Sequence, residues 1–166
     1  ILGRLCAYFP RRSVSNSAAT VNYIENVVRF WKPKKVHLMT NAIDTERFLP
    51  RNPGLSIDSR CVELVGLGRV NQGKRWASVV RILGELDRVS PHHQWRFSLV
   101  GKGPEEEKVL SLAKSLGLES KIRLLGSQQN IPEILQQSDI FLFYSAYEGA
   151  PNSVLEAMSC GLPVIT

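Results

Sequence analysis

Arg69 and Lys74 stand five positions apart, within Gly66-Leu67-Gly68-Arg69 and Gly73-Lys74-Arg75. Glycines let a backbone come close to a bulky anion, and a helix amino end adds partial positive charge. Arg69 offers a forked donor and Lys74 a point charge. Together they suit a diphosphate; the same residues also read as a glycine turn with two solvated cations. A P-loop is excluded because it requires G-x-x-x-x-G-K-[ST], and G-x-G-x-x-G is excluded because position 71 is Asn. Far downstream, residues 145–166 read SAYEGAPNSVLEAMSCGLPVIT, with Glu148 and Glu156 eight positions apart. Glu156 has two readings. It can close a capping box, Ser153-x-x-Glu156, at the start of its own helix, or accept two hydrogen bonds from a ribose diol. Glu148 precedes a glycine on a loop with no Lys or Arg nearby in sequence, so it reads as a sugar-hydroxyl acceptor or as a solvent-exposed side chain.

Other chemistries find no support. His37, His92 and His93 lack partner spacing, and no D-x-D or H-x-x-x-H pattern occurs, so no metal or cofactor is expected. No serine elbow and no Cys/His pairing favours covalent hydrolysis. Asp139 and Tyr144 flank a strand and read as structural. Cys6, Cys61 and Cys160 are odd in number and far apart, as in a protein with reduced thiols in the cytoplasm.

The elements that must position these residues alternate regularly. After a linker at residues 50–59, strands are expected at 61–67, 95–100, 122–125, 140–143 and 163–165. Helices are expected at 74–89, from Pro104 to about Gly117, at 131–137 and at 153–158. The strands are nearly continuous apolar runs, as in a parallel sheet covered by helices on both faces. Glu148 then follows a strand and Glu156 falls in the next helix's first turn, where ligands bind in open α/β sheets. The loops at Gly101-Lys102-Gly103 and at Gly126 leave two other strands at the same edge; each suits a base or ribose, or is an ordinary turn. Glu105, Glu106 and Glu107 fill a helix's first turn, where the dipole favours negative charge. Before residue 50, Ser17 caps a helix over residues 18–31, Pro33 stops it, and residues 35–39 form a short strand.

With 43% apolar and 22% charged residues, the chain reads as a globular domain. The net charge of +6 is uneven: residues 1–50 carry 8 Lys and Arg against 3 Asp and Glu, and the rest carry 13 against 12. The excess, mainly Arg11, Arg12, Lys32, Lys34 and Lys35, is a solvated face or a contact for an anionic membrane surface. No aromatic residues interleave with it, which speaks against nucleic acid. The chain opens in an apolar segment without Met and ends after a strand, as expected of an internal piece of a longer protein.

Several motifs together resemble one family. Gly68-Arg69-(x)4-Lys74, Val100-Gly101-Lys102-Gly103-Pro104, Leu125-Gly126, and above all Glu148-Gly149-Ala150-Pro151-Asn152-Ser153-Val154-Leu155-Glu156-Ala157-Met158-(x)2-Gly161-Leu162-Pro163-Val164-Ile165 are similar to the retaining GT-B glycosyltransferases of family 4. Asn41-Ala42-Ile43-Asp44 resembles that family's NGID-type interdomain turn, with Ala42 in place of Gly, and Arg75 stands where Gly is common. The resemblance implies two Rossmann-like domains. Residues 1–50 would end the N-terminal, acceptor-side domain, and residues 51–166 would form an incomplete C-terminal domain that binds a nucleotide-sugar. It implies transfer of a hexosyl or N-acetylhexosaminyl group, with retention and without a metal, to a glycan or lipid-linked acceptor. Arg69 and Lys74 would neutralise the donor diphosphate, with Gly68 beside them, and Glu148 would contact the transferred sugar. The backbone of Gly149, Ala150, Pro151 and Asn152 would help hold sugar and phosphate, Glu156 would bind the ribose, and Gly103 and Gly126 would lie near the base. The Asn152 form of the motif leans towards surface polysaccharide and glycolipid synthesis, at the cytoplasmic membrane face. Lacking its N-terminal domain, the isolated chain is expected to bind nucleotide weakly and to transfer no sugar. A non-catalytic nucleotide-sugar-binding module and a GT-B nucleotide-sugar epimerase are the alternatives.

Overall fold

The computed structural model describes residues 13–27, 36–51 and 61–166. Cys6, Arg11, Arg12, Lys32, Lys34, Lys35, the expected helix end at Trp31 and Pro33, and most of the 50–59 linker lie outside the described residues. The chain divides into two bodies: Ile1–Ala42 with Glu148–Asn152, and Ile43–Tyr147 with Ser153–Thr166.

In the first body, β1 (Ser13–Ser15) pairs in parallel with β2 (Val36–Leu38), with Ser15 opposite Leu38. Between them in sequence is α1 (Ala18–Val27). The Thr20 N–H reaches Ser17 Oγ at 3.4 Å, so Ser17 caps this helix as the sequence suggests. A further ladder bond, Met39 N–H to Ser15 O at 2.9 Å, extends the strand pair.

The second body is a five-stranded, all-parallel sheet. Its strands are β3 (Cys61–Leu67), β4 (Gln94–Val100), β5 (Ile122–Gly126), β6 (Ile140–Leu142) and β7 (Val164–Ile165), in the spatial order β5-β4-β3-β6-β7. The helices are α2 (Trp76–Val89), α3 (Glu106–Ser115), α4 (Ile131–Gln136) and α5, which begins at Asn152 and ends at Ser159. Period-two alternation along the strands splits the apolar residues between two faces. Leu64, Trp95, Phe97 and Leu99 meet Trp76, Val79, Val80 and Leu83 of α2 and Val109 and Ala113 of α3. Val65, Leu67, Val100 and Phe141 on the opposite face meet Leu135 of α4, Ala157 of α5 and Phe48. Helices thus cover both faces, as the unbroken apolar strands imply.

Asp139 has the structural role the sequence assigns it. Its Oδ2 accepts the Glu63 N–H at 2.9 Å, and its own N–H meets Glu63 O at 2.7 Å, prolonging the β3–β6 pairing at the amino end. The strand order reverses at this pairing: β4 and β5 lie on one side of β3, β6 and β7 on the other. In open α/β sheets such a reversal opens a crevice outside the carboxyl ends of the two central strands.

Candidate functional site

The loop leaving β3 enters that crevice. It continues through a 3₁₀ turn, Gln72–Lys74, before α2 begins at Trp76. Sequence periodicity predicts this helix from Lys74. The difference has a local cause: Asn71 Oδ1 accepts the Lys74 N–H at 3.2 Å, capping the short turn, and Arg75 then adopts a left-handed φ of 50°. Lys74 therefore closes the turn before the helix. Trp76, only 1% exposed, donates from Nε1 to Arg69 O at 3.1 Å, so a buried ring ties down the peptide that carries Arg69.

The loop leaving β6 joins the same turn. The Ala146 N–H and Ser145 Oγ both donate to Gly73 O, at 2.8 and 3.2 Å. Lys74 Nζ stands 5.1 Å from the Phe143 ring centroid, and the Arg75 guanidinium 5.5 Å from that of Tyr144. These contacts hold two cationic side chains at the reversal point, with Arg75 against the ring of Tyr144.

Backbone bonds lace the loop after β4 to the first loop on one side and to the end of β5 on the other. The Gly68 N–H meets Val100 O, the Val70 N–H meets Lys102 O, and the Gly101 N–H meets Gly126 O, at 2.9, 2.9 and 2.8 Å. The fit is too close for a side chain: a Cβ on Gly101 would lie 2.0 Å from Gly68 O, and one on Gly103 2.1 Å from Val70 O. The Gly103 N–H goes to Glu106 Oε1 at 2.7 Å, which shows what the acidic run at α3's start does locally. Gly68, Arg69, Lys74, Gly103 and Gly126 are thus brought together along one sheet edge.

Glu156 lies in α5 of the same body. Because α5 starts at Asn152, Ser153 sits inside its first turn and the capping box of Ser153 with Glu156 does not form. Partial burial pushes the Glu156 carboxyl above its ordinary pKa, against the opposing pull of Arg47. Residue spacing alone does not single out Arg47. It belongs to a turn in which Asp44 Oδ1 accepts the Arg47 N–H at 3.0 Å. Its guanidinium lies 5.4 Å from the Phe48 ring centroid and donates to Gln129 O at 3.3 Å, in the loop after β5. Ser159 Oγ donates to Phe48 O at 2.6 Å and fastens that turn to α5. Its only sequence trace is an Asp three positions before an Arg. Cys160 is buried, and burial, then the Glu156 charge, push its thiol up.

Glu148, Gly149, Ala150, Pro151 and Asn152 are placed in the first body. There the Asn41 Nδ2 amide donates to Ala150 O at 2.8 Å and to Asn152 Oδ1 at 2.5 Å. Glu148 is exposed. Among the described residues, no three His, Cys, Asp or Glu side chains gather to hold a metal, and no helix is long and apolar enough to cross a membrane.

Residues 62–166 match the family described as Glycosyl transferases group 1. The chain belongs to that family. This group 1 glycosyl transferase chain is 29% identical over 133 residues to the N-acetylgalactosamine-N,N'-diacetylbacillosaminyl-diphospho-undecaprenol 4-alpha-N-acetylgalactosaminyltransferase of Campylobacter jejuni, covering 80% of the chain and 35% of that protein. It is 30% identical over 161 residues to the N-acetyl-alpha-D-glucosaminyl L-malate synthase of Bacillus anthracis, covering 90% of the chain and 40% of that protein. It therefore spans well under half of these relatives. Among solved structures it is similar to Anabaena Alr3699/HepE, determined in complex with UDP and glucose. The TM-score is 0.80 at 20% identity, covering 96% of the chain and 45% of that protein. That likeness shows the GT-B fold.

Proposed function

We propose that the chain supplies the donor side of a retaining glycosyltransferase. The protein moves a hexosyl or N-acetylhexosaminyl group from a nucleoside-diphosphate sugar to a glycan or lipid-linked acceptor. One observation carries this reading: Arg69 and Lys74 sit on a braced turn at the point where the sheet order reverses, ringed by the loops of β4 and β6. A phosphate-binding group belongs there on general grounds. The name of the Campylobacter jejuni relative, a 4-alpha-N-acetylgalactosaminyltransferase, supports the same class.

In this reading Arg69 and Lys74 take the diphosphate. Glu148 accepts from the transferred sugar, the backbone of Gly149–Asn152 helps hold sugar and phosphate, and Glu156 takes the ribose hydroxyls. Gly103 and Gly126 border the base. The bond from the anomeric carbon to the diphosphate oxygen breaks, and the acceptor hydroxyl oxygen bonds to that carbon on the same face. The acceptor's proton passes to the departing phosphate oxygen. Charge builds on the leaving group, so fixed cations aimed at it lower the barrier without a metal or a covalent nucleophile. Residues 1–50 serve the acceptor side and 51–166 the donor side, at the cytoplasmic face of a membrane that the basic first segment contacts.

A thermal-shift panel of UDP-, GDP- and ADP-sugars on the full-length protein tests this. One nucleotide series is expected to raise Tm, in line with the stabilisation a bound ligand gives. No shift with any series removes the donor-site reading. The isolated chain of 166 residues is expected to transfer no sugar.

A further inference from the structure

The Glu148–Asn152 loop is gripped by two asparagines that no local motif connects to it. Asn16 directly follows β1, and Asn41 lies just past the end of β2. The parallel pairing of Ser15 with Leu38, extended by Met39 N–H to Ser15 O, sets these two positions side by side. Asn16 Nδ2 donates to Asn41 Oδ1 at 3.1 Å. Asn41 spends both its amide hydrogens on the loop, one on Ala150 O and one on Asn152 Oδ1.

Every hydrogen-bonding direction used by this amide is fixed by a partner. A side-chain amide has one acceptor oxygen and two donor hydrogens. The Ala150 carbonyl, which can only accept, settles which end of the Asn41 amide is nitrogen, and the other end is then the oxygen that accepts from Asn16. The peptide it holds is unusual. The Ala150–Pro151 bond has a carbonyl but no N–H, because proline lacks one. Left to swing, that peptide can offer an anionic or hydroxyl-rich ligand only an acceptor oxygen. Tied to Asn41, its oxygen is committed elsewhere. Gly149 packs so near the same segment that a Cβ there would lie 3.2 Å from Ser17 Cβ and 3.3 Å from Asn16 Oδ1.

We propose that Asn41, oriented by Asn16, is the positioning residue for the loop that carries Glu148, fixing how that loop meets the transferred sugar. This rests on the donor-site reading above. Asn41 touches no reacting atom. Its effect should therefore appear mainly in the rate of transfer, with a smaller effect at the diphosphate end through the Gly149–Asn152 backbone.

The full-length protein distinguishes the two. Asn41→Ala removes both bonds to the loop, and Asn41→Asp keeps the shape but has no hydrogen to donate. Both should lower kcat about tenfold or more, on the scale of one to two lost hydrogen bonds. The Kd for the nucleoside diphosphate chosen by the UDP, GDP and ADP panel should rise by a smaller factor than kcat falls, since Arg69 and Lys74 keep their charges and only the Gly149–Asn152 share of the phosphate contact is loosened. Asn16→Ala should cost less, about threefold, because it loosens only the orientation of Asn41. Hydrogen exchange of the 148–154 peptide should accelerate in Asn41→Asp, an observation available even if transfer is slow. Wild-type kcat and unchanged exchange in Asn41→Asp overturn the inference. If Glu148→Ala also keeps full transfer, the fault lies with the donor-site reading; if Glu148→Ala is inactive, it lies with Asn41 alone. A poorly folded Asn41 variant is backed by Asn152→Ala, which deletes one acceptor and should still cost about threefold in kcat.

Discussion

The turn after β3 is held by its own backbone and by rings. Gly73 O is shared by two donors from the β6 loop, Arg69 O is pinned by buried Trp76, and the β4 loop is laced to Gly68 and Val70. The Glu148–Asn152 loop takes two hydrogen bonds from one side-chain amide, itself bonded to another. Backbone lacing resists substitution except at the glycines that allow it. Side-chain clamping concentrates the same task in single residues. A diphosphate is common to every donor in this reading, whereas the sugar is the variable part. A rigid cradle for the first and an adjustable hold on the second fit that division.

The largest effect should come from the clamped loop's own carboxylate. Glu148→Ala should reduce transfer by about 10²–10³, the scale seen when a group that stabilises the reacting centre is removed. It should leave nucleoside diphosphate affinity alone, and steady-state kinetics beside a binding titration separates the two. Full transfer by this variant breaks the comparison at the sugar end. Next comes the cradle's backbone. Gly101→Ala forces a Cβ against Gly68 O, and a cost of about 3 kcal/mol is expected from such overpacking with backbone strain. A denaturant melt that matches wild type would show that the lacing between β3 and β4 loops is looser than described.

A smaller effect is expected at Arg75. Its left-handed backbone costs about 1–2 kcal/mol for a non-glycine residue, whereas its exposed cation–π contact with Tyr144 returns about 0.5–1 kcal/mol. Arg75→Gly should thus leave stability unchanged or raise it by up to about 1 kcal/mol. A clear loss in Tm would mean that the ring contact outweighs the strain. The smallest effect is at Glu156. A carboxyl whose folded pKa is raised binds its proton more tightly when folded. It therefore carries no penalty below its unfolded pKa and destabilises as pH rises through the folded value. Glu156→Gln should be more stable than wild type at neutral pH, and the gain should vanish on acidification below the ordinary carboxylate range. An equal gain at every pH would assign the effect to something other than charge.

Most of the sheet was legible because burial on both faces leaves a simple mark: long apolar strands such as Cys61–Leu67 and Gln94–Val100 admit few other readings. The α2 start was misjudged by two residues because Asn71 caps a separate 3₁₀ turn and Arg75 takes a conformation usual for glycine. The capping box at Ser153 was an attractive local pattern that failed because α5 begins one residue earlier. Arg47 and the Asn16–Asn41 pair were out of reach for another reason. Their partners are 82, 25, 109 and 111 positions away, and no local spacing encodes such contacts.

The cationic turn is where the account is most exposed. Isothermal titration should compare wild type with the Arg69→Ala/Lys74→Ala double variant, using the nucleoside diphosphate picked by the panel and the matching nucleoside alone. Two charge-assisted contacts predict that diphosphate affinity falls by about 10² or more, while the nucleoside binds both proteins alike. Equal diphosphate affinity in the two proteins would contradict the account, because the turn after β3 would then hold no phosphate.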